Sequence, residues 1–398
     1  MNTSRRLSKL GRGVFARNDQ RKNIYRNAKT KLGMPNLVDL SLGSTDLLPP
    51  SSVLDEIARN LENPDSSAYC LHADTRPFRE AVTSWVARRF DVEVDPDKEV
   101  LLLLGSQDGT AHLPLATMNS GDMGLIMDPS YPSHRGGLLL ADAKIQYLKL
   151  NPENNWKPEF NSLRKSDLER MKMMVLGFPH NPTACVGEQI WLDEALALGV
   201  RHDFIVAHDN PYVDLALEGE APALLRSDGW RKRGIEFFSF SKAWCMGGFR
   251  IAFAVGAEPL ITALRDLKGV VDFNHSLAVQ RGAIVALTHA ANWPSQMIEV
   301  YRERRDRTML ALKKLGWDLP SPSMAIYLWL PVPLWARDRG VKDEDLAAGL
   351  LERTGVALTP GSGFGEGGLG WLRLALVRPV DELEEAVGRM KLWWQSES

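Results

Sequence analysis

Short, almost unbroken apolar runs alternate with longer amphipathic segments through the middle of the chain. Helices are predicted, among others, at Arg76–Phe90, Thr110–Met118 and Gln189–Leu198. Near-continuous apolar strands are typical of a parallel sheet that helices cover on both faces. The pattern therefore predicts a doubly wound α/β sheet. Its predicted strands are Val100–Leu104, Gly124–Met127, Ile145–Lys149, Met173–Gly177, Phe204–His208, Glu236–Phe240 and Ile251–Val255.

The pattern changes after about residue 290 and predicts a second, smaller α+β domain. A long charged helix is followed by alternating short strands and helices. We therefore divide the chain into an N-terminal segment (1–44) that packs with the small domain, a large domain (45–290) and a small C-terminal domain (291–398). The predicted elements of the last part are Ser295–Leu315 (helix), Ile326–Leu330 (strand), Asp343–Thr354 (helix), Trp371–Val377 (strand) and a terminal helix from Val380.

Composition narrows the class of protein. The 398 residues carry 48 Lys and Arg against 50 Asp and Glu, a net charge of −2, which argues against binding of nucleic acid through bulk positive charge. No apolar run approaches the roughly 18 residues needed to span a bilayer. The three cysteines, Cys70, Cys185 and Cys245, are far apart and form no CxxC pair. They argue against a disulfide framework and agree with a cytoplasmic location.

The N-terminus is strongly basic. Between Arg5 and Lys31 the only acidic residue is Asp19. Such a segment is either a transit peptide or a basic helix that lies on the protein's own surface. It contains no continuous apolar stretch of the kind a secretion signal needs, and we favour the surface helix.

The stretch Ser239–Arg250 (SFSKAWCMGGFR) directly follows a predicted strand and carries the most distinctive candidate chemistry. A desolvated lysine such as Lys242 can form a Schiff base with an aldehyde cofactor. Ser239, Ser241 and Arg250 together could bind a phosphate dianion through hydrogen bonds and a charged fork. A strand-end lysine is more often a solvated surface residue, and this stretch alone leaves that alternative open.

Four further segments place polar or aromatic residues at strand ends, where ligands bind in open α/β sheets. Asp209 could pair with a pyridinium nitrogen and Tyr212 could donate to a phenolate oxygen, although Asp-Asn-Pro also makes ordinary turns. Ser106 and Gln107 open a helix after Gly105, an arrangement that favours anions. The other two strand-end candidates are Asn181, in a stiff two-proline loop, and Tyr131. Arg373 differs from these because it lies within an apolar strand, where a charged residue is costly unless it is paired. A structural ion pair is therefore the competing explanation for Arg373.

In chain order these motifs resemble the class I/II aminotransferases among the fold-type-I pyridoxal-phosphate (PLP) enzymes. The resemblance extends from about Phe15 to the C-terminus. It rests on DLSLG (39–43), Tyr69 followed by Arg79, GSQDG (105–109), DPSYP (128–132), PHNPT (179–183), DNPY (209–212), SFSK (239–242) with Arg250, PGSGFG (360–365) and WLR (371–373). It implies a mainly parallel sheet sandwiched by helices, PLP bound by the large domain, and a folded N-terminus in place of a cleaved leader.

The resemblance also implies roles for individual residues. Lys242 would form the Schiff base and later move the proton, and Asp209 would keep the pyridine nitrogen protonated. Arg373 would grip the substrate α-carboxylate, with Asn181 also contacting the substrate and the Gly43 region closing over it. The other implied cofactor contacts are Tyr212 and Asn181 at O3′, Tyr131 stacked on the ring, and Ser106, Gln107, Ser239, Ser241 and Arg250 at the phosphate.

Tyr69 in this family reaches the phosphate of the neighbouring subunit, so the resemblance implies a homodimer with shared active sites. The sequence departs from many relatives at Asp74, where a glycine is usual. This polar replacement suggests the hypothesis that His72 or Arg76 contacts the distal group of the substrate. A surface loop with its own hydrogen bonds is the alternative.

The function expected from these residues is transfer of an amino group from an amino acid to a 2-oxo acid by a ping-pong mechanism through Lys242. A PLP-dependent carbon–sulfur β-lyase on the same scaffold would share Lys242, Asp209 and Arg373. A non-catalytic PLP-binding regulator is a further alternative. In regulators of this type a DNA-binding domain precedes the aminotransferase-like part, and here too few residues precede the resemblance.

Overall fold

The computed structural model describes residues 3–32, 34–317, 319–324 and 326–397. The strands within these ranges form three sheets. They are β1 Val38–Asp39, β2 Val100–Leu103, β3 Met123–Asp128, β4 Lys144–Lys149, β5 Met171–Leu176, β6 Ile205–Asp209, β7 Gly234–Ser239, β8 Ala252–Gly256, β9 Tyr327–Pro331, β10 Val356–Ala357, β11 Thr359–Pro360 and β12 Trp371–Ala375.

Helices cover the sheets and connect their strands. In chain order they are α1 Arg5–Leu10, α2 Val14–Leu32, α3 Ser51–Leu61, α4 Arg76–Phe90, α5 Ser106–Thr117, α6 Pro132–Leu140, α7 Lys165–Leu168, α8 Gln189–His202, α9 Trp230–Arg233, α10 Phe240–Ala243, α11 Glu258–Val271, α12 Leu277–Thr288, α13 Trp293–Lys314, α14 Leu334–Asp338, α15 Asp343–Thr354 and α16 Val380–Glu397. No helix in the described ranges is both long enough and apolar enough to cross a membrane.

The central sheet has the strand order β2-β8-β7-β6-β5-β3-β4. Its strands pair in parallel except β8, which is antiparallel to both β2 and β7. This arrangement confirms the predicted α/β class. Because β3, β5, β6 and β7 run in parallel, their carboxyl ends lie at one edge of the sheet, and the segments that follow them meet there.

Both faces of the central sheet are buried along β2, β7 and β8, which explains the almost unbroken apolar sequences of these strands. Consecutive residues of one strand belong to different cores: Phe237 packs into the core that includes Leu264 of α11, and Phe238 packs into the core that includes Trp85 of α4. Side chains alternate across a strand, so each face needs its own apolar set. The hydrophobic pattern of these strands therefore indicates that helices pack on both faces of the sheet.

The second sheet, β11-β12-β9, is antiparallel and places Arg373 opposite Trp329. A short parallel pair, β1 with β10, joins the chain near Val38 to the chain near Val356. The predicted packing of the N-terminal segment against the C-terminal part agrees with this pair. The domain limits at residues 44 and 290 stay predictions.

Most predicted elements are present, with ends that differ by a few residues. The helices at Arg76–Phe90 and Asp343–Thr354 have the predicted limits. Helix α5 begins at Ser106, four residues earlier than predicted, because Ser-Gln-Asp-Gly is read from sequence as a loop although it forms the first turn. Phe240 begins α10 and does not end β7. The basic N-terminus forms α1 and α2, as the surface-helix interpretation expects.

Candidate active site

A cavity of about 310 Å³ lies at the edge where the parallel strands end. Every site residue that we predicted from sequence lines it, except Tyr69. These residues are Gly43, Ser106, Gln107, Tyr131, Asn181, Asp209, Tyr212, Ser239, Ser241, Lys242, Arg250 and Arg373. They come from seven separate stretches of the sequence, so their convergence is a property of the fold.

Lys242 lies in the single turn α10 that follows β7. The Ser239 hydroxyl begins this turn by accepting a hydrogen bond from the Ser241 N–H at 3.1 Å. The Lys242 ammonium donates to the carbonyl oxygen of Gly43. Burial lowers the pKa of Lys242, and the positive charges of Arg373 and Arg250 lower it further. A lysine in this setting yields a free amine more readily than a surface lysine.

Asp209 is the last residue of β6 and is 7% exposed. Its Oδ2 lies 3.0 Å from Nε2 of His134. Its Oδ1 is buried and has no hydrogen-bond donor among the residues that the structure describes. A buried carboxylate oxygen without a partner is costly, so this atom is suited to a cationic or N–H group of a ligand.

A chain of hydrogen bonds links Arg373 to Tyr212. The Arg373 guanidinium donates through Nη1 to Asn181 Oδ1 at 2.8 Å, which turns the amide so that Asn181 Nδ2 donates to the Tyr212 hydroxyl at 3.3 Å. Nη2 of Arg373 donates to the carbonyl oxygen of Ser41 at 2.9 Å. The ion-pair explanation for Arg373 is wrong, since no carboxylate in the described residues binds this guanidinium.

Aromatic rings surround the Arg373 guanidinium. Its Cζ lies 4.2 Å from the ring centroid of Tyr327, 4.9 Å from that of Phe364 and 5.4 Å from that of Phe15. The strand register explains the closest contact, because Tyr327 and Arg373 lie on the same face of the small sheet. Cation–π contacts do not neutralise the guanidinium, and no carboxylate among the described residues binds it, so its charge is available to an anionic ligand.

The phenols of the cavity differ in their acidity. Burial raises the pKa of Tyr212 well above its usual value, and burial raises the pKa of Tyr131 to about 12. Burial also acts to raise the pKa of Tyr327, but the cations Arg373 and Lys242 outweigh it and lower that pKa. The Tyr327 hydroxyl lies 3.2 Å from the Tyr212 hydroxyl. The cavity thus holds a protonated Tyr212 beside a more acidic phenol.

One end of the cavity is suited to an anion. The first turn of α5 supplies the backbone N–H groups of Ser106 and Gln107, and a helix N-terminus carries partial positive charge. Gly105 has φ +92°, and a Cβ there would lie 2.5 Å from Nη2 of Arg250. The absence of a side chain at this position therefore lets the guanidinium approach the loop.

A fully buried carboxylate supports the strand that carries Asp209. Glu236 of β7 accepts hydrogen bonds from His208 Nδ1 at 2.8 Å, from Asn210 Nδ2 at 2.8 Å and from the Leu225 N–H at 3.1 Å. The Phe178 N–H donates to Nε2 of His208, so the histidine proton resides on Nδ1. Glu236 thereby holds the residues on both sides of Asp209 in place.

Tyr69 lies outside the cavity of its own chain. It is 88% exposed and packs on Phe273, with 5.9 Å between the ring centroids. Arg76 is also outside and is engaged by Glu80 at 2.9 Å and Asp97 at 2.7 Å. Burial lowers the pKa of the half-buried His72 to about 4. The hypothesis that His72 or Arg76 contacts substrate stays a prediction.

Sequence reasoning missed several residues that line the cavity, namely His134, His180, Tyr327 and Phe15 as a cavity wall. His134 follows Tyr131 by one helical turn at the start of α6, a spacing that could have suggested it. Tyr327 and Trp329 are two residues apart in β9, so the sequence could have placed both on one face of a strand. It could not have placed Tyr327 beside Arg373. Contacts across strands cannot be read from one segment.

The family described as Aminotransferase class I and II matches residues 35–390. An LL-diaminopimelate aminotransferase of Dehalococcoides mccartyi is 36% identical over 355 residues, covering 89% of this chain and 90% of the relative. That of Aquifex aeolicus is 34% identical over 389 residues, 98% of both chains. The solved structure of a probable N-succinyldiaminopimelate aminotransferase from Thermus thermophilus has a TM-score of 0.88 at 38% identity and covers 95% of this chain and 99% of that one. The chain therefore belongs to the class I and II aminotransferases.

Proposed function

We propose that this aminotransferase uses pyridoxal 5′-phosphate, held in the 310 Å³ cavity with Lys242 as its covalent partner. The observation that carries the proposal is the buried Asp209 Oδ1, which has no donor among the described residues. A pyridinium N–H is the kind of donor this oxygen requires. His134 holds the other oxygen of the carboxylate, so Asp209 is kept in one orientation.

The remaining lining residues fit the other parts of the cofactor. Ser106, Gln107, Ser239, Ser241 and Arg250 would hold the phosphate, since they combine a helix N-terminus, two hydroxyls and a guanidinium. Tyr131 would contact the ring face, and Asn181 and Tyr212 would donate to the ring oxygen O3′.

When bound, the cofactor supplies an aldehyde that accepts the amino group and a ring that withdraws electrons from the substrate Cα. Arg373 would bind the substrate α-carboxylate bidentately, which limits rotation of the substrate in the site. Lys242 would move the proton from Cα, because its lowered pKa leaves an amine able to accept one. The Gly43 region would close over the bound carboxylate.

We infer that the substrates are an amino acid of the diaminopimelate type and a 2-oxo acid, and these are the first substrates to test. The support is the activity for which two relatives are named, LL-diaminopimelate aminotransferase; these relatives are 34–36% identical over most of the chain. Lys242, Arg250 and Arg373 are the lysines and arginines that line the cavity within the described residues, and each already has a role. A second carboxylate on the substrate would therefore need a cation from elsewhere, such as a second subunit.

We further propose a homodimer in which Tyr69 reaches the neighbouring phosphate. The support is a patch of exposed apolar side chains around it, including Leu71 at 56%, Val270 at 84% and Phe273 at 43% exposure. A surface of this kind favours a protein partner. Sedimentation of the wild type should give a dimer, and a monomer at micromolar concentration would contradict the assembly. A cytoplasmic location also stays a prediction, with which the three free cysteines agree.

Borohydride reduction of the holoprotein tests the cofactor assignment directly. The peptide that contains Lys242 should carry the label. Lys242→Ala should abolish transamination while circular dichroism stays that of the wild type, and Lys172→Ala, at an exposed position of β5, serves as the control. An unlabelled Lys242 peptide refutes the proposal. Release of pyruvate and ammonia from cystathionine without any 2-oxo acid would instead indicate a β-lyase.

A further inference from the structure

The loop that follows β1 binds both catalytic cations through its backbone. The carbonyl oxygen of Ser41 accepts from Nη2 of Arg373 at 2.9 Å, and the carbonyl oxygen of Gly43 accepts from the Lys242 ammonium. Thr359 also donates to the Ser41 carbonyl through its hydroxyl, at 2.5 Å. Where this loop lies therefore helps to decide where the Arg373 guanidinium lies.

Each end of the loop is held by an acid–base pair that is largely removed from solvent. At the far end, Asp46 binds the Arg304 guanidinium with both oxygens, at 2.7 and 2.9 Å. At the near end, Asp39 Oδ2 lies 2.7 Å from the ammonium of Lys22, and the side chains of Lys22 and Asp39 are 7% and 16% exposed. Lys22 belongs to the basic helix α2, so that helix contributes directly to the position of the loop.

Asp39 transmits this contact to Ser41. Its Oδ1 accepts from the Ser41 N–H at 3.1 Å and from the Ser41 hydroxyl at 2.7 Å. Hydrogen bonds from Lys22 and Ser41 lower the pKa of Asp39 although its burial acts to raise it, so the carboxylate is charged at neutral pH. An unbroken series of contacts thus leads from Lys22 through Asp39 and Ser41 to Arg373.

We propose that Lys22 is a positioning residue for the substrate α-carboxylate: it holds Asp39 and, through Ser41, the guanidinium of Arg373. Lys22 contacts neither the cavity nor the proposed cofactor site. The inference rests on the proposed function in one respect, that Arg373 binds the carboxylate. The proposal gives a role to Lys22, one of the many cations of the basic N-terminus. Amino transfer by itself does not explain why that segment is basic.

The expected effect is on substrate binding more than on the chemical step. Lys22→Met keeps most of the length of the side chain but leaves Asp39 without its cation, so the Ser41 carbonyl loses its fixed position. KM should rise about tenfold for both the amino donor and the 2-oxo acid, the factor that one weakened hydrogen bond to a charged group produces. The value of kcat should fall by less than about threefold, because saturating substrate restores the bound state.

The experiment compares Lys22→Met, the conservative Lys22→Arg and the double variant Lys22→Met/Asp39→Asn with the wild type, using LL-diaminopimelate and 2-oxoglutarate. Arg26→Met is the matched control, since Arg26 lies one turn further along α2, is exposed and contacts Asn23. A second readout is the dissociation constant of 2-oxoglutarate for borohydride-reduced holoprotein, measured by calorimetry. Reduction prevents turnover, so this constant reports binding alone.

Support for the proposal is a tenfold weaker calorimetric affinity and higher KM values in Lys22→Met, with recovery in Lys22→Arg and no change in Arg26→Met. Unchanged KM values and affinity in Lys22→Met overturn it, as does a fall in kcat alone. If Lys22→Met does not fold, the double variant decides, because it leaves no uncompensated charge and still lacks the Lys22 ammonium that holds residue 39. Failure of the proposed function is distinct, since then the wild type itself would lack PLP on Lys242.

Discussion

Replacement of Gly43 by alanine tests how closely the loop must approach the small sheet. A Cβ at this position would lie 1.8 Å from the hydroxyl oxygen of Tyr327, whereas ordinary contact begins at 3.4 Å. Tyr327 is 2% exposed, and it is held by Tyr212 at 3.2 Å and by Arg373 at 4.2 Å. Since the ring cannot move aside, we expect the loop to move and to carry the Gly43 and Ser41 carbonyls away from Lys242 and Arg373.

The magnitude follows from two costs. Overpacking of a buried site costs about 1–3 kcal/mol, and weakening one hydrogen bond to a charged group costs about 1.5–3 kcal/mol. If about 2.7 kcal/mol of the total is lost from the transition state, kcat/KM falls about 100-fold. The loop is at the surface of the cavity, so the loss of folding stability should stay within the overpacking range.

The assay is a double-mutant cycle with Tyr327→Phe, read as kcat/KM and as the free energy of unfolding. Removal of the hydroxyl deletes the 1.8 Å contact but leaves Cζ at 2.6 Å, so the double variant should recover only part of the loss, about tenfold. Gly248→Ala is the control, because a Cβ there meets nothing within 4 Å. A Gly43→Ala variant within about threefold of wild-type kcat/KM, or a double variant no better than Gly43→Ala, would refute the reasoning.

Three other outcomes are expected. Glu236→Gln should destabilise the fold by about 1–3 kcal/mol in chemical unfolding, because one of the three buried donors would then face an NH₂ group; no measurable loss would contradict the network. Asp209→Asn should lower kcat at least about 100-fold with the fold retained, and near-normal turnover would remove Asp209 from the mechanism. In the protein without cofactor, burial lowers the pKa of Lys242 below its ordinary value of 10.5, so the unfolded state binds this proton more tightly than the folded state. The contribution of Lys242 to folding stability therefore rises with pH between its folded-state pKa and 10.5. NMR of reductively methylated lysines should show Lys242 titrating at lower pH than the exposed Lys172, and coincident titrations would count against the buried amine.

The strands and many helices were predictable because a buried segment must be apolar, and this is visible in its own local sequence. Strands covered on both faces are apolar at almost every position, so β2 and β8 appear in the sequence as continuous apolar runs. The element ends were less predictable. The first turn of α5 has the composition of a loop, so the start of this helix at Ser106 could not be predicted from the local sequence.

From the sequence alone, Lys242 and Asp209 are candidates because they lie near strand ends, and Arg373 is a candidate because it is a charged residue within an apolar strand. Which partners these residues have depends on the packing of the folded chain. His134 beside Asp209, Tyr327 beside Arg373 and Lys22 behind Asp39 all join residues that are far apart in the sequence or on different elements. The physical reason is that a hydrophobic pattern specifies which face of an element is buried, whereas the partner on that face depends on how elements pack and on strand register.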